Sequence, residues 1–100
     1  MVFGLMEDKN AAEIISELRH IAKRLYVVEA KTQRSRKSVE LAQEGRRMGA
    51  SVKDFPSVRE GVSSALDQRD GAPVLITGSH FVVGEALAYL HHEKYLTINQ

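Results

Sequence analysis

Four times in 100 residues, a short run of apolar and often β-branched side chains gives way to an apolar stripe at helical spacing. The runs are VFGLM (2–6), LYVVEA (25–30), ASVKDF (50–55) and PVLIT (73–77), the last being the most apolar. Strand followed by helix, repeated, has few folded solutions. Parallel neighbours need a crossover long enough to hold a helix, and those helices then cover the faces of the sheet. The expectation is a single α/β domain over residues 1–100, built on a mostly parallel sheet of about four strands.

The helices announce their starts. Asn10 and Glu13 have the spacing of a capping box, as do Ser57 and Glu60 behind Pro56. Ala11, Ile14, Ile15, Leu18, Ile21 and Ala22 predict the buried stripe of the first helix, and Ser38, Leu41, Ala42, Gly45 and Met48 a second, weakened by its glycine. Val58, Val62, Ala65 and Leu66 mark the third, and Val82, Val83, Ala86, Leu87 and Leu90 the fourth. Gly84 interrupts that last stripe at about 1 kcal/mol against alanine, and close packing of the helix on the sheet is the expected reason. ASVKDF is polar enough to be an edge strand.

Right-handed crossovers bring every strand's C-terminal end to one rim, where open α/β sheets bind their ligands. The residues due there are Glu7, Asp8 and Lys9, then Lys31 to Arg34, then Phe55 to Ser57, and finally Thr77 to His80. In Thr77-Gly78-Ser79 the glycine permits a tight turn. Ser79 can cap the following helix, whose free amides also attract anions; capping is the commoner use. Lys9, beside Asp8, could hold a substrate carboxylate, against the plainer reading of a solvated loop pair. The four cations of KTQRSRK (31–37) could grip a phosphate or an acidic tail, although a solvated basic loop is the ordinary case. Of the histidines, only His80 stands at the candidate rim. His20 falls on a polar helix face, and His91 and His92 point about 100° apart on a helix, a poor chelating pair. No catalytic residue and no metal site are expected from these spacings.

Composition excludes several classes. A net charge of +1 gives no general attraction to nucleic acid or membranes. No apolar run approaches the roughly 20 residues that span a bilayer. Cysteine is absent, and the first residues lack a signal peptide's basic start and cleavage site, so a cytoplasmic protein is expected. The chain starts directly in strand-like sequence, as a chain cut from something longer would. Neither GxxxxGK[ST] nor GxGxxG occurs.

Three stretches in order carry a family resemblance. LITGSHFVVGEAL (75–87) resembles the C-terminal motif of folylpolyglutamate synthases, an apolar strand, Thr-Gly-Ser, then Val-Gly-Glu. VFGLMEDKN (2–10) is similar to that family's strand ending in Asp-Lys-Asp, and KTQRSRKSVEL (31–41) to its segment ending Arg-Ala before a helix with Glu-Leu. The wider relatives are the Mur ligases of peptidoglycan synthesis. The resemblance implies a Rossmann-like, three-layer glutamate-ligase domain with helices on both faces of the sheet, the last domain of a larger enzyme. Such enzymes, including bifunctional dihydrofolate synthases, join L-glutamate to a folate γ-carboxylate with ATP and magnesium, through an acyl phosphate. It further implies that Lys9 helps bind the glutamate carboxylate, with Thr77, Gly78 and Ser79 in the same cleft; Asp8 and His80 join them as candidates by their place at the rim. Arg34 matches a recurrent arginine of the family, without an implied catalytic role.

Asn10 stands where the family has a second aspartate, and His80-Phe81 where it more often has Leu-Tyr. The nucleotide loop and magnesium ligands belong to the family's central domain, and the Asp-Gly-Ala-His-Asn-Pro segment that precedes this stretch is missing from the 100 residues. An N-terminally truncated domain, inactive by itself and able to dimerise over an uncovered edge, is therefore expected. A Mur-type peptidoglycan-precursor ligase domain and a stand-alone non-catalytic α/β binding module are the alternatives.

Overall fold

In the computed structural model the backbone is described for residues 1–22 and 24–98, and side chains as far as His91. The elements alternate without exception: β1 (Val2–Gly4), α1 (Ala11–Leu18), β2 (Arg24–Val28), α2 (Ser38–Arg47), β3 (Ser51–Phe55), α3 (Val58–Asp67), β4 (Ile76–Gly78) and α4 (His80–Ile98). All four strands are parallel, in the order β3-β2-β1-β4. Polar β3 occupies an edge, as its sequence predicts.

Two cores form because strand side chains alternate between faces. Val2, Tyr26 and Val28 pack with Val58, Val62 and Ala65 of α3 and Val82 and Ala86 of α4. Phe3, Leu25 and Val27, one residue out of phase, pack with Ile15 of α1 and Leu41 and Ala42 of α2. Helices therefore cover both faces, giving the three-layer α/β arrangement of a Rossmann-like fold. Each fully buried valine, leucine or phenylalanine contributes about 1.5–3 kcal/mol. The cap positions hold too: Asn10 Oδ1 accepts from the Glu13 amide and Ser57 Oγ from the Glu60 amide, each at 3.2 Å.

Five expectations need correction. The first helix ends at Leu18, so Ile21 lies beyond it and is 72% exposed. Of PVLIT only Ile76 and Thr77 belong to β4, although the Leu75 carbonyl accepts from the Val2 amide at 2.7 Å; among the described residues β4 has β1 as its single neighbour, and at this edge Leu75 remains 54% exposed. In α4, Val82 and Ala86 are buried as predicted, but Leu87 is 61% exposed. Gly84 is not explained by close packing, since a β-carbon built there meets nothing within 4 Å. The helix penalty at that position is therefore uncompensated by packing. Gly84→Ala is expected to stabilise the chain by up to about 1 kcal/mol in urea unfolding. His20, expected on a polar helix face, sits instead in the turn after α1, because the helix ends at Leu18; the side chain of His92 lies outside the described residues.

Candidate functional site

The strand order fixes where a site can form. From β1 the chain leaves toward β2 on one side, whereas β4 lies on the other, so the connections diverge above the C-terminal ends of β1 and β4. That divergence is a topological switch point, the place where open parallel sheets hold ligands. A pocket of about 250 Å³ opens there. Phe3, Leu5, Ile14 and Leu18 form its apolar wall, and Lys9, Thr77, Gly78 and Ser79 its polar side.

Each polar member is placed by backbone constraints. Gly78 pairs with Gly4 in register and has φ of 117°, a left-handed-side conformation that disfavours side chains. The turn brings the Ser79 amide to 3.1 Å from the Gly4 carbonyl. Ser79 Oγ then accepts from the Val82 amide at 3.2 Å, so the serine caps α4 while bordering the pocket. Capping is thus its structural use, and bordering the pocket is an added one.

Lys9 is held differently. After β1 the chain runs back along the segment following β2: Met6 and Ser35 form an antiparallel bridge, the Glu7 amide donates to the Arg34 carbonyl, and the Arg36 amide to that of Leu5, both at 2.8 Å. Arg36 Nη2 donates to the carbonyls of Glu7, at 2.8 Å, and of Lys9. Its Nε is buried and meets no acceptor among the described residues. The Lys9 ammonium, exposed at the rim, has no ion pair or hydrogen bond among the described residues. It is free to meet a ligand.

The structure thus unites four of the six sequence-derived candidates. Asp8 instead lines an adjoining cleft of about 590 Å³ with Glu7, Arg36, Glu40 and Glu44, and Lys9 borders both spaces. Glu44 is held on α2 by Arg47; that hydrogen bond and the attraction of the two charges raise the guanidinium above its ordinary value. His80 opens α4, exposed, and lines neither space.

The basic segment 31–37 is not a plain solvated loop. Arg36 anchors the neighbouring loop, Lys37 approaches Glu29 at 3.7 Å, and Glu29 Oε1 accepts from the Ser38 amide and hydroxyl at the start of α2. Buried Ser35 accepts from the Ala30 amide, and Glu85, from the Val-Gly-Glu stretch, accepts from the Lys31 amide at 2.8 Å. Nothing in the spacing of Arg36 distinguishes it from Arg34, which is exposed. Only the pairing of residues 5–7 with 34–36 separates their roles.

A family model described as "Mur ligase, glutamate ligase domain" matches residues 1–80, from the first strand to the residue that opens α4. No curated protein and no solved structure matches the chain. The matched span contains both cores' strands and every residue of the switch-point pocket. The chain therefore belongs to the glutamate ligase domain family of the Mur ligases, a family of ATP-dependent amino-acid ligases.

Proposed function

We propose that this domain binds the incoming amino acid of a folylpolyglutamate synthase, with L-glutamate as that amino acid and a folate as its acceptor. The observation that carries the reading is the meeting of the unpaired Lys9 with Thr77, Gly78 and Ser79 across one pocket. The choice of folate over a peptidoglycan precursor rests on the Thr-Gly-Ser…Val-Gly-Glu stretch of residues 77–85.

Lys9 would take the glutamate carboxylate through a charge-assisted hydrogen bond, and the Thr77 hydroxyl and the turn at Gly78 would bound the amino acid's other side. The contribution is positional: a held amine attacks an activated carboxylate far faster than a free one. Asp8, one residue from the cation, would face the amino group from the adjoining cleft, and His80 would stand at the outer rim. ATP with magnesium supplies the phosphoryl group that activates the folate carboxylate. Both are assigned to the central domain of the parent enzyme, because this chain carries no phosphate-loop sequence. The isolated domain would then be inactive, a cytoplasmic ligase fragment that meets its catalytic partner domain across the rim. Its free β4 edge would be the place for a second copy.

Charge-assisted hydrogen bonds are worth about 1.5–3 kcal/mol, and exposure of Lys9 favours the lower end. In the full ligase, Lys9→Ala is accordingly expected to raise KM for L-glutamate about tenfold while leaving KM for ATP nearly unchanged. Steady-state kinetics with each substrate varied separately check this. Equal changes in both constants, or none, would remove Lys9 from the amino-acid site.

A further inference from the structure

The cation that the proposed function needs sits on a loop with little packing of its own. Glu7, Asp8, Lys9 and Asn10 are all exposed, and the described side chain of Lys9 holds on to nothing. Such loops ordinarily fluctuate, spreading the position of a terminal ammonium over several ångströms. Here the loop is tied from the side by a residue 27 to 29 positions further along the chain. Arg36 reaches it with one terminal nitrogen, whose two protons go to the carbonyls of Glu7 and Lys9, spanning Asp8 between them.

We propose that Arg36 is a positioning residue for Lys9: it fixes the backbone that carries the ammonium at the mouth of the switch-point pocket, and does not itself touch the substrate. This deepens the reading above and rests on it. Three features support it. Both acceptors of Arg36 are main-chain carbonyls, so what it controls is the path of the loop and not a side-chain charge. One of the two carbonyls belongs to Lys9 itself. Arg36 is also immobilised from behind, its own amide bonded to Leu5 and its neighbour Ser35 buried against the Ala30 amide. Lys31, at the start of the same segment, is tied to Glu85 of α4, the helix that Ser79 caps. The two sides of the pocket are thereby linked through one polar segment.

The test has a dynamic arm and a kinetic arm. In the 100-residue chain, backbone order parameters at residues 7–9 are expected to fall from the rigid range near 0.85 to below about 0.6 in Arg36→Met. Arg36→Lys, which keeps an ammonium donor, should recover part of that order, and it serves in place of the methionine variant if the latter does not fold. In the full ligase, Arg36→Met should raise KM for L-glutamate about fivefold, leaving kcat and KM for ATP near wild type.

The decisive comparison is the double variant Lys9→Ala/Arg36→Met. If Arg36 acts through Lys9, removing both is no worse for glutamate than removing Lys9 alone. Additive losses would mean that Arg36 meets the substrate directly, and an unchanged loop in Arg36→Met would mean that it does not position anything; each result overturns the proposal. Should Lys9→Ala leave glutamate kinetics untouched, the amino-acid reading itself has failed. The order parameters then decide whether Arg36 still anchors the loop.

Discussion

Gly78→Ala is expected to destabilise the chain by at least about 3 kcal/mol, read as a lowered urea midpoint with little change in slope. Two effects add. The backbone at Gly78 has φ of 117°, where an L side chain is strained by about 1–3 kcal/mol. A β-carbon there would also lie 2.0 Å from the Gly4 carbonyl oxygen. That oxygen accepts the Ser79 amide and belongs to the neighbouring strand, so it cannot give way without unpairing β1 from β4. Gly4 is no better able to move, being boxed in by the Val28 carbonyl and by a methyl of Val82. A variant with wild-type stability would show that the strands can separate locally, and that the tight turn does not define the pocket.

Gly61→Ala is the second large effect, and here two contributions oppose each other. Gly61 lies inside α3, where alanine would by propensity gain about 1 kcal/mol. The added carbon, however, would come within 2.2 Å of Val28 Cγ1, and Val28 is completely buried. Overpacking of a filled core costs about 1–3 kcal/mol, and more when the neighbour has no space to turn. The net expectation is a loss of about 2 kcal/mol. The partner is a side chain and not backbone, so the damage should be reversible in a way that Gly78→Ala is not. Combining Gly61→Ala with Val28→Ala should lose less than the sum of the two single changes, as a double-mutant cycle measures. Strict additivity would place the strain elsewhere than between α3 and β2.

Most of the fold was legible because its signals are local. The alternation of strand and helix, the caps at Asn10 and Ser57 and the apolar, β-branched run of LYVV are each written within a few residues. Errors arose where pairing across the sheet decides. PVLIT is as apolar as a central strand, yet among the described residues β4 has one neighbour, and Leu75 stays exposed despite its hydrophobicity. Ile21 continues the period of α1 in sequence, but the helix has already ended at Leu18.

The candidate site divides the same way. Lys9 and Thr77 to Ser79 could be placed on one rim from the strand ends alone, and the structure brings them to one pocket. Asp8, adjacent to Lys9 in sequence, faces the other cleft, because neighbouring residues of a turn point in different directions. Arg36 and Glu85 were invisible as anchors. Their partners are main-chain groups, and no pattern of side-chain types records those.

The edge position of β4 has a consequence for how such a domain is born. On a ribosome β1, β2 and β3 emerge in succession and can pair with one another as they appear, each contact closing a modest length of chain. The partner that β1 needs on its other side is the last of the four strands to leave the tunnel, and joining the two, Val2 beside Ile76, closes the longest loop in the sheet, the entropically steepest of its pairings. Lys9 therefore precedes Thr77 to Ser79 and waits beside an unfinished crevice until they arrive. An incomplete nascent chain can hold most of the hydrophobic core, but not the pocket.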